Sequence, residues 1–440
     1  MAGTNGGIIG KVNKSSFGKN TVTSKTSSGD ITTQPGTRVV ETLIVASGGG
    51  GGLYGGVLEE IVLNQSQTWV PPRNGTVSIY VIGAGGSGGK RHGGTDNGMA
   101  TGGGAGGLCL KESLDVTTSG SFTVTIGAGG VAPYNNTVNQ AGVAGGNSTV
   151  SGTGLSATLT ANGGAAGGFV SGEGNSGVNG GAGGTASNGD YNRTGGRGGN
   201  VAGSLGNAAV RVATGGGAVA IKSATGYNGG DYLSGANNAA VFGTGGAGIG
   251  GNGGGKIASG TPDAAWGGNG GGANYAALNW LSNLNVYNGA TYLGHPDYKS
   301  FEFRDATLIG ARYGVAGTGS GSTSYSATNA GGTRTITNHE DDNRFFSSVG
   351  NTQPSWGCGG GGFGGGTASH RFSGGFGGAF AGGGGTATAS MSTNLAGKAT
   401  GNGGCGGGGG GFFFGTGNAY SGAAGYGGDG LVIIHYTAYA

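Results

Sequence analysis

Residues 76–89 read TVSIYVIGAGGSGG. The first half, Thr76–Ile82, is the β-branched and aromatic composition of a strand. The second half holds only glycine, one alanine and one serine, so it brings almost no side chain to a core and carries the highest entropic cost of ordering. The same junction recurs along the chain. Phe122–Ile126 (FTVTI) runs into Gly127-Ala128-Gly129-Gly130, so that Ile-Gly-Ala-Gly-Gly stands at 82–86 and again at 126–130. Leu155–Thr160 (LSATLT) leads to Gly163-Gly164, and Val39–Ala46 (VVETLIVA) leads to Ser47 and five glycines. Leu108–Val116 (LCLKESLDV) alternates as a half-buried strand, with Leu108, Leu110 and Leu114 on one face. Ile61–Leu63 and Trp69-Val70 read as two further short strands, and Leu431–Tyr436 (LVIIHY), the most apolar run, as a central one. Short β-branched pieces between turn residues predict an all-β fold, a short-stranded antiparallel β-sandwich. Ala273–Leu284 (ANYAALNWLSNL) is the one segment with helical character, so few or no α-helices are expected.

Glycine accounts for 120 of 440 residues, roughly four times the ordinary share of about 7%. Long glycine fields lie at 163–272 and 354–430, with a GG-X texture in which X is mostly Ala, Ser, Thr or Asn. A threefold left-handed helix makes no internal hydrogen bonds, so every buried N–H and C=O must find a partner on a neighbour. Helices bearing only hydrogens approach closely enough to supply those partners. The fields are therefore expected to form a packed array of polyglycine-II-type helices hung from the strand ends. The competing reading is flexible linker.

The resulting organisation has five parts: an attachment arm and first strand (1–57), sandwich strands (58–167, completed by 428–440), an array (168–272), an insertion (273–353) and a second array (354–427). Residues 1–37 are polar and lack apolar periodicity, so they read as an arm that orders on a partner. The insertion holds ten glycines in 81 residues yet eleven of the 35 aromatics, together with charges such as Asp297, Arg304, Asp305, Arg312 and Asp342.

Charged residues make up 9% of the chain, against about 25% in ordinary soluble domains, and the net charge is +3. Neither suits a nucleic-acid surface, which needs a concentrated basic stripe. Lys90-Arg91-His92 reads as the solvated tip of a glycine loop rather than a phosphate site. Cys109, Cys358 and Cys405 match no zinc or disulfide spacing and are expected to be reduced thiols, the last two acting as small fillers. The N-terminal residues lack the apolar stretch of a secretory signal, and no run is long enough to span a membrane.

Glycine motifs are discounted in such a background. Gly250–Lys256 spells G-x-x-x-x-G-K, but Ile257 stands where a phosphate loop needs Ser or Thr. His339-Glu340-Asp341-Asp342 lacks the spacing of a calcium loop or a zincin and reads as a solvated turn. No nucleophile with a base, and no paired carboxylates, can be assembled from spacing. No catalytic residue, metal or cofactor is expected.

The succession Trp69-Val70-Pro71, TVSIYVIGAGGSGG, AGGLCLKESLDV, SFTVTIGAGG, glycine fields and a closing GGDGLVIIHY resembles the glycine-rich domain of bacteriophage virion proteins, over roughly 58–440. That resemblance implies a non-enzymatic fibre or spike protein of tail-fibre or adhesin type on the virion surface, made in the host cytoplasm. Self-association, as a trimer, and attachment to other virion proteins through 1–37 are expected. Specific contacts to a host glycan or protein must come from side chains, because glycine helices display none. Trp280, Tyr287, Tyr298, Arg304 and Arg312 are the candidate binding residues, since Trp, Tyr and Arg dominate recognition surfaces. The same aromatics equally suit the insertion's own core or a subunit contact. The alternatives are a capsid-decorating or head-fibre scaffold without receptor binding and, third, a surface- or ice-binding protein.

Overall fold

The computed structural model describes residues 58–92, 98–133, 139–171, 177–202, 210–222, 224–232, 240–248, 252–254, 265–267, 312–313, 320–321, 355–356, 363–368, 377, 380–391, 401–416 and 424–439. The strand read at 39–46, the helical segment at 273–284, the phosphate-loop mimic at 250–257 and the arm at 1–37 lie wholly or mainly outside these residues. No helix occurs among the described residues, and the fold is all-β.

Two antiparallel five-stranded sheets face one another across the main core. The first runs in the order Leu58–Leu63, Leu431–Ala438, Gly75–Ile82, Leu108–Val116, Tyr191–Arg193. The last strand of the chain is thus second in its sheet, paired from Leu431 opposite Ile82 to Ala438 opposite Gly75. The second sheet runs Ala186–Ser187, Leu159–Ala161, Ser148–Gly152, Phe122–Thr125, Gln67–Trp69. Val77, Ile79, Val81, Val432 and Ile434 of the first pack with Phe122, Val124, Val150 and Leu159 of the second, all nearly or fully buried. Trp69 closes one side, its ring 5.6 Å from Phe122 and 6.0 Å from Tyr436.

The strand Leu108–Val116 departs from simple alternation. Leu108 and Leu110 are buried on one side while Cys109 is in the sandwich core on the other. Leu114 then joins Cys109 in that core instead of staying with Leu110. The reason is a bulge. Val77 pairs with Leu114 but Ile79 pairs with Lys111, so two residues, Glu112 and Ser113, stand opposite Ser78 and shift the phase.

Two further five-stranded sheets lie at the far ends of the glycine segments. One is mixed: Phe169–Ser171 pairs antiparallel with Gly98–Ala100, followed in parallel by Val210–Ala213, Ala240–Gly243 and Ala265–Gly267. The other is wholly parallel: Ser320–Gly321, Phe363–Ala368, Thr386–Met391, Phe412–Thr416, Lys90–His92. Parallel pairing needs crossover connections. Between Val210–Ala213 and Ala240–Gly243 the described part of the crossover is glycine-containing chain, 214–222 and 224–232. Met99, Val212, Tyr232 and Phe242 form the second core.

The glycine segments themselves have a threefold hydrogen-bonding order. Along 83–90, Gly83, Gly86 and Gly89 donate to Gly107, Gly104 and Thr101; Ala84, Ser87 and Lys90 donate to Gly146, Val143 and Gln140; Gly85 and Gly88 donate to Gly428 and Gly425, all at 2.8–3.1 Å. The carbonyls of the same segment accept from others. Gly164 and Gly167 reach Ala84 and Ser87, Gly409 and Phe412 reach Gly86 and Gly89, and Gly130 reaches Gly85. Five of the six neighbours are met every third residue, and the sixth is met once, at Gly130. The segment 101–107 repeats the pattern, donating from Thr101, Gly104 and Gly107 to Gly168, Ala165 and Asn162 and from Gly103 and Gly106 to Gly409 and Gly406.

Close approach makes this possible. An ideal Cβ on Gly85, Gly88 or Gly408 would stand inside 3.0 Å of the backbone carbonyl of Gly407, Gly410 or Gly103. Where a side chain does enter the array, its oxygen replaces a carbonyl. Gly102 N donates to Thr214 Oγ1 at 3.0 Å, and that hydroxyl donates to Gly199 O at 2.6 Å. Thr244 does the same between Gly215 N and Gly230 O.

Lys90-Arg91-His92 is not a solvated tip. It forms a strand beside Phe412–Thr416, with Lys90 fully buried and Arg91 nearly so. The glycine run before it is packed array, not loop, so its end lies inside the protein. Cys109 and Cys405 are free, buried thiols, with Cys405 donating to Asp429 O at 3.3 Å.

Candidate functional site

The bulge of Leu108–Val116 forms one wall of an open groove of about 440 Å³. Lys111, Glu112, Ser113, Leu114 and Asp115 line that side, Gly154, Leu155, Ser156 and Ala157 the other, and Asn188 the end. The turn after Gly152 follows from Gly154, whose φ of +83° is the left-handed region that glycine occupies freely. Ser113 and Asn188 occupy the same region, at φ of 50° and 69°, without being glycine. Both are exposed.

Asp190 pins the bulge. Its carboxylate accepts from the Glu112 amide at 2.8 Å and from Lys111 Nζ at 2.8 Å. These contacts, the amide first and then the ammonium, hold the Asp190 carboxyl below its ordinary range. Glu112 Oε1 meets Lys222 Nζ at 2.5 Å, which raises the lysine, and Lys222 also lies 4.6 Å from the centre of the Tyr191 ring. At the other end Tyr439 Oη donates to Asp115 Oδ1 at 2.5 Å, and that bond raises the phenol. Lys111 and Glu112 are thus each matched by an opposite charge, while Asp115 keeps its negative charge and accepts a neutral hydroxyl. Ser113, Ser156 and Asn188 bring neutral polar groups, and Leu114, Leu155 and Ala157 an apolar surface. Among the described residues no three His, Cys, Asp or Glu side chains stand close enough to share a metal ion.

Of the five binding residues read from sequence, Arg312 alone is among the described residues. Trp280, Tyr287, Tyr298 and Arg304 lie outside the described residues, as does His339–Asp342. Arg312 begins the two-residue strand Arg312–Tyr313, parallel to Ser355–Trp356. The groove itself was missed. Its only trace in the sequence is Glu112, polar at the position where the alternation of Leu108, Leu110 and Leu114 asks for an apolar residue.

A family model described as a glycine-rich domain matches residues 61–295, from the edge strand of the sandwich through both of its sheets and onward. No curated protein matches the chain.

Proposed function

We propose, from the premise that this chain belongs to the glycine-rich domain family, that it is a non-enzymatic structural protein of a bacteriophage virion, of fibre or spike type, exposed on the particle surface. The observation that carries this reading is the threefold rotation of backbone partners along 83–90 and 101–107. A polyglycine-II-type helix repeats every three residues at a rise of about 3.1 Å, so a seven-residue crossing such as 101–107 spans roughly 20 Å. Each crossing is then a strut bonded to its neighbours on several sides, and the array is a stiff block with no side chains to spare for chemistry. Such a block suits a particle that must survive outside a cell.

Specific recognition is assigned to the residues the block displays, with Trp280, Tyr287, Tyr298, Arg304 and Arg312 of the 273–353 segment contacting a host-surface glycan or protein. The protein self-associates, as a trimer, and residues 1–37 attach it to other virion proteins. Deleting 273–353 tests the reading: the truncated protein should remain folded and lose binding to host cells. Unchanged binding would leave the scaffold role and remove the receptor-binding one.

A further inference from the structure

We infer that the groove between Lys111–Asp115 and Gly154–Ala157 is a binding site for a neutral saccharide, separate from the 273–353 segment. Three non-glycine residues adopt left-handed backbone conformations among the described residues, Ser113, Asn188 and Phe380, and two of the three line this groove. For Ser113 such a conformation is costly and persists where the surroundings enforce it, commonly at ligand sites, whereas asparagine adopts it readily. Here the enforcement is visible. Asp190, far along the chain from the bulge, clamps Glu112 N and Lys111 Nζ, and Asn188 Nδ2 is tied to Thr158 O at 2.8 Å. Both walls are held open before any ligand arrives, which lowers the ordering cost of binding.

The chemistry of the lining selects the ligand class. Lys111 is matched by Asp190, Glu112 by Lys222, and Asp115 takes the Tyr439 hydroxyl. A phosphate or carboxylate would therefore find no cation left over for it. What remains is the Ser113 and Ser156 hydroxyls, the Asn188 amide oxygen and the second oxygen of Asp115, which together donate to and accept from hydroxyl groups. Exposed Ala157 and the outer parts of Leu114 and Leu155, which also pack on the sandwich core, lie among them as an apolar surface for the C–H face of a sugar ring. The volume is in the range of small-molecule sites, roughly 300–1,000 Å³, and admits a mono- or disaccharide unit. The groove is open, so the unit can belong to a longer chain.

The test is binding of the full-length protein to an array of neutral and acidic glycans, compared with Ala157→Trp, which fills the groove from an exposed position, and Ser113→Ala, which removes one hydroxyl. Thermal unfolding of both variants establishes that they fold. Neutral glycans should bind the wild type and lose roughly tenfold or more in affinity, about 1.4 kcal/mol, with Ala157→Trp. Binding of acidic glycans alone, or of none, would overturn the inference. So would neutral-glycan binding that survives Ala157→Trp and disappears on deletion of 273–353, a result that would place the lectin function in that segment instead.

Discussion

Replacing Gly408 by alanine is the sharpest perturbation the array offers. In a helix interior this exchange stabilises by roughly 0.5–1 kcal/mol, because alanine restricts the unfolded chain more than glycine does. At Gly408 the sign should reverse. The new Cβ would overlap the carbonyl of Gly103, which is backbone and cannot swing aside. Relief requires 403–411 to withdraw from 101–107, and the bonds across that contact are Gly103 N to Gly409 O and Gly106 N to Gly406 O, both 2.8 Å. A buried backbone group left without its partner costs about 1–3 kcal/mol, so orphaning the two donors, Gly103 N and Gly106 N, already amounts to roughly 2–6 kcal/mol. Gly168→Ala is the control. Its Cβ would meet only the side chains of Val178, at 3.1 Å, and Thr101, at 3.8 Å, which can give slightly. Unfolding rates in denaturant, measured for both variants, suit a large protein whose unfolding need not be reversible. If Gly408→Ala unfolded no faster than Gly168→Ala, the close-packing argument would fail.

Thr214→Val should destabilise by roughly 2–6 kcal/mol, because Gly102 N and Gly199 O both lose their partner, while Thr214→Ser should restore most of the loss; denaturant midpoints of the pair decide it. Burial lowers Lys90 from 10.5 to about 8. Between those values the unfolded chain holds more protons than the folded one, so stability should rise with pH through 8–9. Thermal unfolding should show this rise in the wild type and not in Lys90→Met. Above pH 9 the opposite effect of Cys109, pushed up to about 11 by burial, sets in and defines the upper limit of the window.

The junctions between strand and glycine were legible because composition changes abruptly at Ile82-Gly83 and Ile126-Gly127. The sandwich followed from the β-branched runs on either side. The two outer sheets were not legible, since strands such as Gly98–Ala100 or Lys90–His92 are three residues long and carry no alternation to read. The same shortness misled the reading of Lys90: a basic triplet after glycine looks like a loop tip unless the glycines are known to be packed. The groove was invisible for a third reason. The bulge depends on Asp190, whose bond to Glu112 N spans 78 residues, and on a phase shift that moves Leu114 to the opposite face from Leu110. The one local sign in LCLKESLDV is Glu112, polar where the alternation of Leu108, Leu110 and Leu114 asks for an apolar residue.

Amide hydrogen exchange across 83–89, 101–107 and 401–411 tests the central claim most directly. If these segments are helices bonded sideways to several neighbours, their amides should exchange as slowly as those of the central sandwich strands Gly75–Ile82 and Leu431–Ala438, despite a sequence that is mostly glycine. Exchange at the rate of an unstructured glycine-rich chain would contradict the array and, with it, the structural role proposed for the protein.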